Sequence, residues 1–302
     1  MLANLTGPDA VLAALTSPDL TVPLAPADAG PPSLGWLRAH VARFSTGADH
    51  GRRRAAAVSA LATVDSNTLR GTAFRRTQEI LATGREIDIM AEVARTVPVA
   101  GLAEALGVTA EMSGVVSDVA AVARVYLTGP EDGEPTGAVD AAVARLAVAT
   151  GRGAGEDAAA VIGLLVQAYE ATAGLIGNAC LAALRSGPPG NAEGAEDGDK
   201  PERLVERTLH EDPPTLATRR LATVDTTIGD VHIGAGELVR IDLASADRSL
   251  GAGPHACPGA AEARAIAAGV VEAVRGCRLR DDTIAYLPSA NLRVLARLMV
   301  ST

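Results

Sequence analysis

The sequence predicts a mostly α-helical fold with a small β region. Three observations lead there. Alanine-rich runs free of proline recur, most plainly Ala260–Val274, and alanine is the strongest helix former. The stretch 158–184 is apolar almost throughout, as a buried central helix would be. Strand-like pieces separated by glycine turns are concentrated in 218–241, with a final hairpin expected over 284–299. Of the 302 residues 48% are hydrophobic but only 2% are aromatic, so the core has to be built from Ala, Leu and Val. That length allows one large domain or two ordinary ones, and a single domain over 1–302 is expected.

In chain order, Gly7-Pro8-Asp9 opens a short capped helix, and the prolines from Pro18 to Pro32 mark an irregular segment. His50 and Arg54 stand four apart and share a helix face. Two cations so placed suit a pair of carboxylates, or else a solvated basic helix start. Residues 86–99 read as an amphipathic helix and 102–108 as a second one ended by Gly107. Glu92 and Arg95 read as a surface pair. Helical segments follow from 109 to 150, broken by a Gly-Pro-rich loop at 129–135. Inside the apolar stretch Glu170 needs a reason, because an unpaired buried carboxylate is costly. A pocket-facing acid supplies one. Residues 186–201 are a polar linker. A helix ending in Asp212-Pro213-Pro214 follows, and then the strands.

The stretch that organises the chain is Leu250-Gly251-Ala252-Gly253-Pro254-His255-Ala256-Cys257-Pro258-Gly259. It places Cys257 just before the helix at 260–274, where free N–H groups and the helix dipole favour thiolate. Glycines there let a flat object approach the backbone. This loop and helix resemble the haem-binding segment of the cytochrome P450 family, Phe-x-x-Gly-x-His-x-Cys-x-Gly. Gly253, His255, Cys257 and Gly259 match the pattern, and Leu250 replaces the phenylalanine.

The resemblance covers nearly the whole chain, as a shortened version with several deletions. It implies a cytochrome P450-like helical fold and haem b as cofactor. Cys257 would be the axial metal ligand, and His50, Arg54, Arg220 and His255 would hold the propionates. The family's central helix carries Ala/Gly-Gly-x-Asp/Glu-Thr-Thr/Ser. Glu170 and Thr172 match the acid and the last position as catalytic candidates, while Ala171 replaces the threonine that helps protonate iron-bound dioxygen. The expected Glu-x-x-Arg ion pair is replaced by Arg207 and His210, and a coil of roughly twenty residues before Leu250 is missing.

A net charge of −9 argues against a nucleic-acid partner. Cys180, Cys257 and Cys277 show neither metal nor paired-disulfide spacing and suit a reducing cytosol. Neither a membrane span nor a signal segment is read, so a cytoplasmic protein is expected. No phosphate loop, dinucleotide fingerprint or serine-nucleophile elbow appears. Three functions compete, and the favoured one is a non-oxygenating cyclase or rearrangement catalyst of bacterial specialised metabolism. It would fold a largely apolar natural-product intermediate and use Glu170 for proton transfer. The second is a haem-thiolate monooxygenase, although the altered proximal face weakens the expectation of a redox partner. The third is a haem-free auxiliary protein for a biosynthetic partner enzyme.

Overall fold

In the computed structural model, which describes residues 3–28, 30–129, 136–186, 200–281 and 283–302, the chain enters through strand β1 (Ala3–Leu5) and helix α1 (Pro8–Thr16). Pro8 sits in the first turn of α1, where its missing N–H costs nothing. The cap expected from sequence is absent: Gly7 precedes the helix at φ 82° and offers no side-chain bond. Strand β2 (Leu20–Thr21), helix α2 (Leu34–Ala39) and a tight turn at Ala42–Phe44 lead to α3 (Gly47–Leu61). Ser33 caps α2 by accepting from the Trp36 N–H at 3.0 Å. Asp65 caps α4 (Ser66–Leu81) by accepting from Asn67 and Thr68.

The amphipathic helix expected over 86–99 does not form. Strand β3 (Ile87–Asp88) gives way to a wide π-helical turn, Ile89–Ala94, and then to α5 (Val97–Ala105). Asp88 explains the change. Its carboxylate accepts from Met90 N–H at 3.0 Å and from Leu298 N–H at 3.1 Å, so it ends the strand, starts the turn and pins both to the C-terminal segment. Helices α6 (Met112–Tyr126) and α7 (Gly137–Ala149) follow. Next comes the thirty-residue α8 (Glu156–Arg185), then α9 (Pro201–Glu211). Apart from their edges, the expected loop at 129–135 and linker at 186–201 lie outside the described residues.

Strands β4 (Ala217–Ala222), β5 (Thr226–Ile228), β6 (Val231–Ile233) and β7 (Leu238–Asp242) fill the anticipated β region. The larger sheet runs β1-β7-β4-β2, with β1 parallel to β7 and the other pairs antiparallel. Helix α10 (Ala260–Val274) and strand β8 (Arg278–Leu279) come after the cysteine loop. The terminal hairpin is minimal, a bridge between Tyr286 and Leu295 flanked by two backbone bonds. Met299 then leaves it for β9 (Met299–Ser301), which pairs with both β3 and β8.

The main core gathers α4, α5, α8 and α10. Helix α10 lies along α4 so closely that a Cβ on Gly269 would overlap the Arg70 carbonyl oxygen. A second, smaller core joins Leu5, Val11 and Leu15 to Ile233, Val239 and Ile241, fixing α1 on the sheet. Helix α8 is long and apolar enough to cross a membrane by composition, but here it is packed inside the protein. It is buried over 161–166 and again over 172–181. Between these lies a break the sequence did not announce: Gln167 is exposed and 168–171 are half-buried.

Candidate functional site

The family-matched cation and cysteine positions are drawn together from three directions. His50 and Arg54 come from the start of α3, Arg220 from β4, and His255 and Cys257 from the loop before α10. Arg220 is only 4% exposed and opposes Val239 in the sheet. It donates to the Thr218 hydroxyl at 3.2 Å and to its neighbour's carbonyl at 2.9 Å, and no carboxylate among the described residues meets it. The His50 and His255 rings meet at 4.1 Å between centroids.

The loop takes its shape from backbone constraints. Gly251 and Gly253 both have positive φ. A Cβ on Gly253 would stand 3.0 Å from the Leu15 carbonyl and 3.1 Å from a Thr16 methyl, so the loop rests directly on the end of α1. Gly259 precedes α10 at an ordinary φ, and its N–H is close enough to the Cys257 thiol to favour the thiolate. The Cys257 N–H donates back to Leu250 at 2.8 Å.

The electrostatics are unbalanced. Burial, then Arg54, lowers the His50 pKa, and its Nε2 is buried without a partner. His255 falls to about 3 through burial first, then His50, Arg220, Arg43 and Arg54. Arg220 is pulled down to about 10 by burial and by Arg43. The side chains that lower the pKa of His50, His255 and Arg220 are all basic, while Glu262 stands beside Cys257, in a chain whose acidic residues outnumber its Lys and Arg 36 to 27. A bound dianion would answer Arg54 and Arg220. The orphaned Nε2 and the buried, carboxylate-free guanidinium therefore fit the two propionates of a haem.

The thiol departs from expectation. Cys257 lies on the exposed side of the loop, yet desolvation by the protein around it holds its pKa above the usual cysteine range. The Gly259 N–H and the charges of Arg54 and Arg264 oppose that shift without reversing it. The helix terminus alone does not make it a thiolate; a bound metal would.

On α8, Thr172 is buried and Glu170 is half-buried. Glu170 is not an unpaired acid. Its two oxygens face Arg95 Nε at 3.3 Å and Nη2 at 3.4 Å. The surface pair read between Glu92 and Arg95 is thus corrected, since Glu92 pairs with Arg85 instead. Sequence reasoning also missed how the shortened chain is tied together. His210 Nδ1 lies 2.6 Å from Asp247, and Ser249 donates to the Leu209 carbonyl at 3.3 Å. Arg264 of α10 meets Glu206 of α9 at 2.5 Å, and Arg207 lies 3.8 Å from Glu211. These contacts dock the segment before Cys257 and the helix after it onto α9.

No protein-family model matches the sequence. Among curated proteins, "Cytochrome P450 family protein EryCII" of Saccharopolyspora erythraea is 31% identical over 166 residues, which make up 55% of this chain and 42% of that relative. The match therefore spans less than half of the relative's length. Among solved structures, P450BioI in complex with an acyl carrier protein ligated to hexadec-9Z-enoic acid superposes with a TM-score of 0.79 at 20% identity, covering 99% of this chain and 91% of that one. Epothilone D-bound cytochrome P450epoK gives 0.78 at 21%, covering 99% and 90%. At such identity these likenesses establish the fold. The loop motif, the architecture and these similarities together make this chain a P450-like protein with a shortened cytochrome P450 fold.

Proposed function

We propose that the protein is a haem-thiolate enzyme that oxidises a small organic molecule in bacterial biosynthesis. The observation that carries this reading is the cluster of Arg54, Arg220, His50 and His255 around the Cys257 loop, in which the buried Arg220 meets no carboxylate among the described residues although Glu262 stands beside Cys257. An unanswered buried cation such as Arg220 is expensive, and a protein that had given up the dianion would gain stability by replacing it. Cys257 would bind the iron, while Arg54 and Arg220 would hold the propionates with both histidines as hydrogen-bond donors. A bound haem supplies the oxidising chemistry. The chain's own residues orient the cofactor, and the half-exposed window at 167–171 of α8 offers a polar edge to the substrate. Ala171 provides no hydroxyl there, so a proton must reach the site through water, substrate or the buried Thr172.

The ring-forming alternative depends on Glu170 as a free proton carrier. Arg95 already occupies both of its oxygens, so that ion pair has to open before Glu170 can act. The haem-free auxiliary role leaves the cation cluster without a purpose. Purified protein expressed with added haem should show a Soret band that responds to dithionite and carbon monoxide, and Cys257→Ala should lose the thiolate form. Wild-type protein that stays colourless would overturn the proposal.

A further inference from the structure

Helix α8 is open to its surroundings in an unusual pattern. A surface helix shows one stripe to water, so its exposed residues recur every three or four positions. In α8 the open residues stand in one block, 167–171, between the buried runs 158–166 and 172–181. That block turns through more than a full circle of helix. It therefore marks a cleft that crosses a buried helix. The neighbours show which cleft it is. Gly163, one turn before Gln167, is pressed on Val41: a Cβ there would stand 2.8 Å from a Val41 methyl. Val41 leads into the turn that carries Arg43, and Arg43 lies within electrostatic reach of Arg220 and His255. Helix α3 closes another side. Its Arg52 bonds Glu156 at the start of α8 at 2.8 Å, and its Leu61 lies 3.8 Å from where a Cβ on Gly259 would stand. The open block of α8 thus shares its walls with the cation cluster and the Cys257 loop.

Gln167 is the exposed member of the block; the others are half-buried. One N–H of its carboxamide donates to the Gly163 carbonyl at 2.9 Å. A carboxamide has two N–H donors and an oxygen that accepts two bonds, so most of its capacity is left for a molecule that enters the cleft. Glu170 and Ala171, three and four residues on, share its face. Glu170 is held by Arg95, and Ala171 brings no polar side-chain atom. Counted back from Glu170, Gln167 also stands where the cytochrome P450 pattern has alanine or glycine. A long polar side chain in place of a small one narrows the cleft and adds hydrogen-bonding groups to it.

We infer that Gln167 is a specificity-determining residue whose carboxamide hydrogen-bonds a hydroxyl or carbonyl group of the substrate inside this cleft. This role rests on the haem-enzyme reading, which supplies the cofactor that the cleft would hold. A substrate so recognised carries an oxygen near its reacting end and is not uniformly apolar.

The test titrates haem-supplemented protein with phenylimidazole and with its ortho, meta and para hydroxyphenyl counterparts, followed by the shift of the Soret band. The imidazole nitrogen of each probe binds the iron, and the second ring reaches into the cleft. Wild type should bind at least one hydroxylated probe about fivefold more tightly than phenylimidazole, the worth of one neutral hydrogen bond. Gln167→Leu keeps the volume without the amide and should bring that ratio to about one. Gln167→Ala should abolish the preference as well. Gln167 is exposed, so both variants should keep the wild-type melting temperature. No preference in wild type, or the same ratios in wild type and both variants, overturns this role while the Soret band upholds the haem reading. A wild-type protein without a Soret band overturns both.

Discussion

Arg220 shows how much a single side chain discloses about its missing partner. It is a nearly fully buried cation with two neutral acceptors and a second guanidinium, that of Arg43, close enough to lower its pKa. Replacing it with methionine keeps the volume and removes the charge, so two effects should separate. The haem-free protein should gain about 1 kcal/mol or more of stability, because an uncompensated buried charge is relieved. The haem-loaded protein should release its cofactor faster. Urea denaturation of the first and haem transfer to an acceptor protein for the second would show opposite signs; a loss of stability in both would place Arg220 among purely structural residues. At this scale the sequence was readable where spacing is local. His50 and Arg54 lie one helical turn apart, and His255 and Cys257 share one loop. Glu170 was misread because its partner, Arg95, lies 75 residues away, and the turn at 89–94 carries Arg95 off the face it would share with Glu92 in a regular helix. Arg43 passed unnoticed because an isolated arginine carries no periodic signal; only the fold brings it near Arg220.

Among elements, the closest approach is α10 against α4, and glycine makes it possible. A methyl group at Gly269 would overlap the backbone of Arg70, which cannot swing aside as a side chain can. Gly269→Ala should therefore destabilise by about 1–3 kcal/mol, the usual cost of overpacking, and shift the denaturation midpoint accordingly. Gly177→Ala is the informative control. Its new Cβ would meet Met90 Sδ at 2.5 Å, the far part of a flexible side chain, so a smaller loss is expected. An equal loss at both positions would argue against so tight a helix crossing. Helices with a long apolar or alanine-rich pattern, α8 and α10, were legible in the sequence. The segment at 86–99 was not, because its helical periodicity competes with the capping bonds of Asp88, one of which comes from Leu298, 210 residues away. The end of the terminal hairpin was lost for a related reason: Met299 finds a better partner in β3 than in its own neighbours.

For the whole molecule, the architecture could be inferred from one loop and the long helix before it, because a thiol among glycines at the head of an alanine-rich helix is seldom an accident. What the sequence could not show is how a chain with deletions closes again. Where the coil before Leu250 is missing, Asp247 and Ser249 dock on the end of α9, and Arg264 reaches Glu206 from the other side. This repair differs in kind from the interior packing that holds α8 and α10. The Arg264 and Glu206 side chains are 36% and 46% exposed, and those of His210 and Asp247 are 59% and 56%. Attractions between charges that face water fade as dissolved ions accumulate, over a Debye length of about 10 Å at 0.1 M. The segment that presents Cys257 is thus fastened partly by bonds whose strength the solvent composition sets, while the helices around it are not. Raising sodium chloride from about 0.05 to 1 M, across which that length shrinks severalfold, should quicken iodoacetamide labelling of Cys257 in the haem-free protein. The far-ultraviolet circular dichroism should stay unchanged, and Glu206→Gln should reproduce part of the effect at low salt.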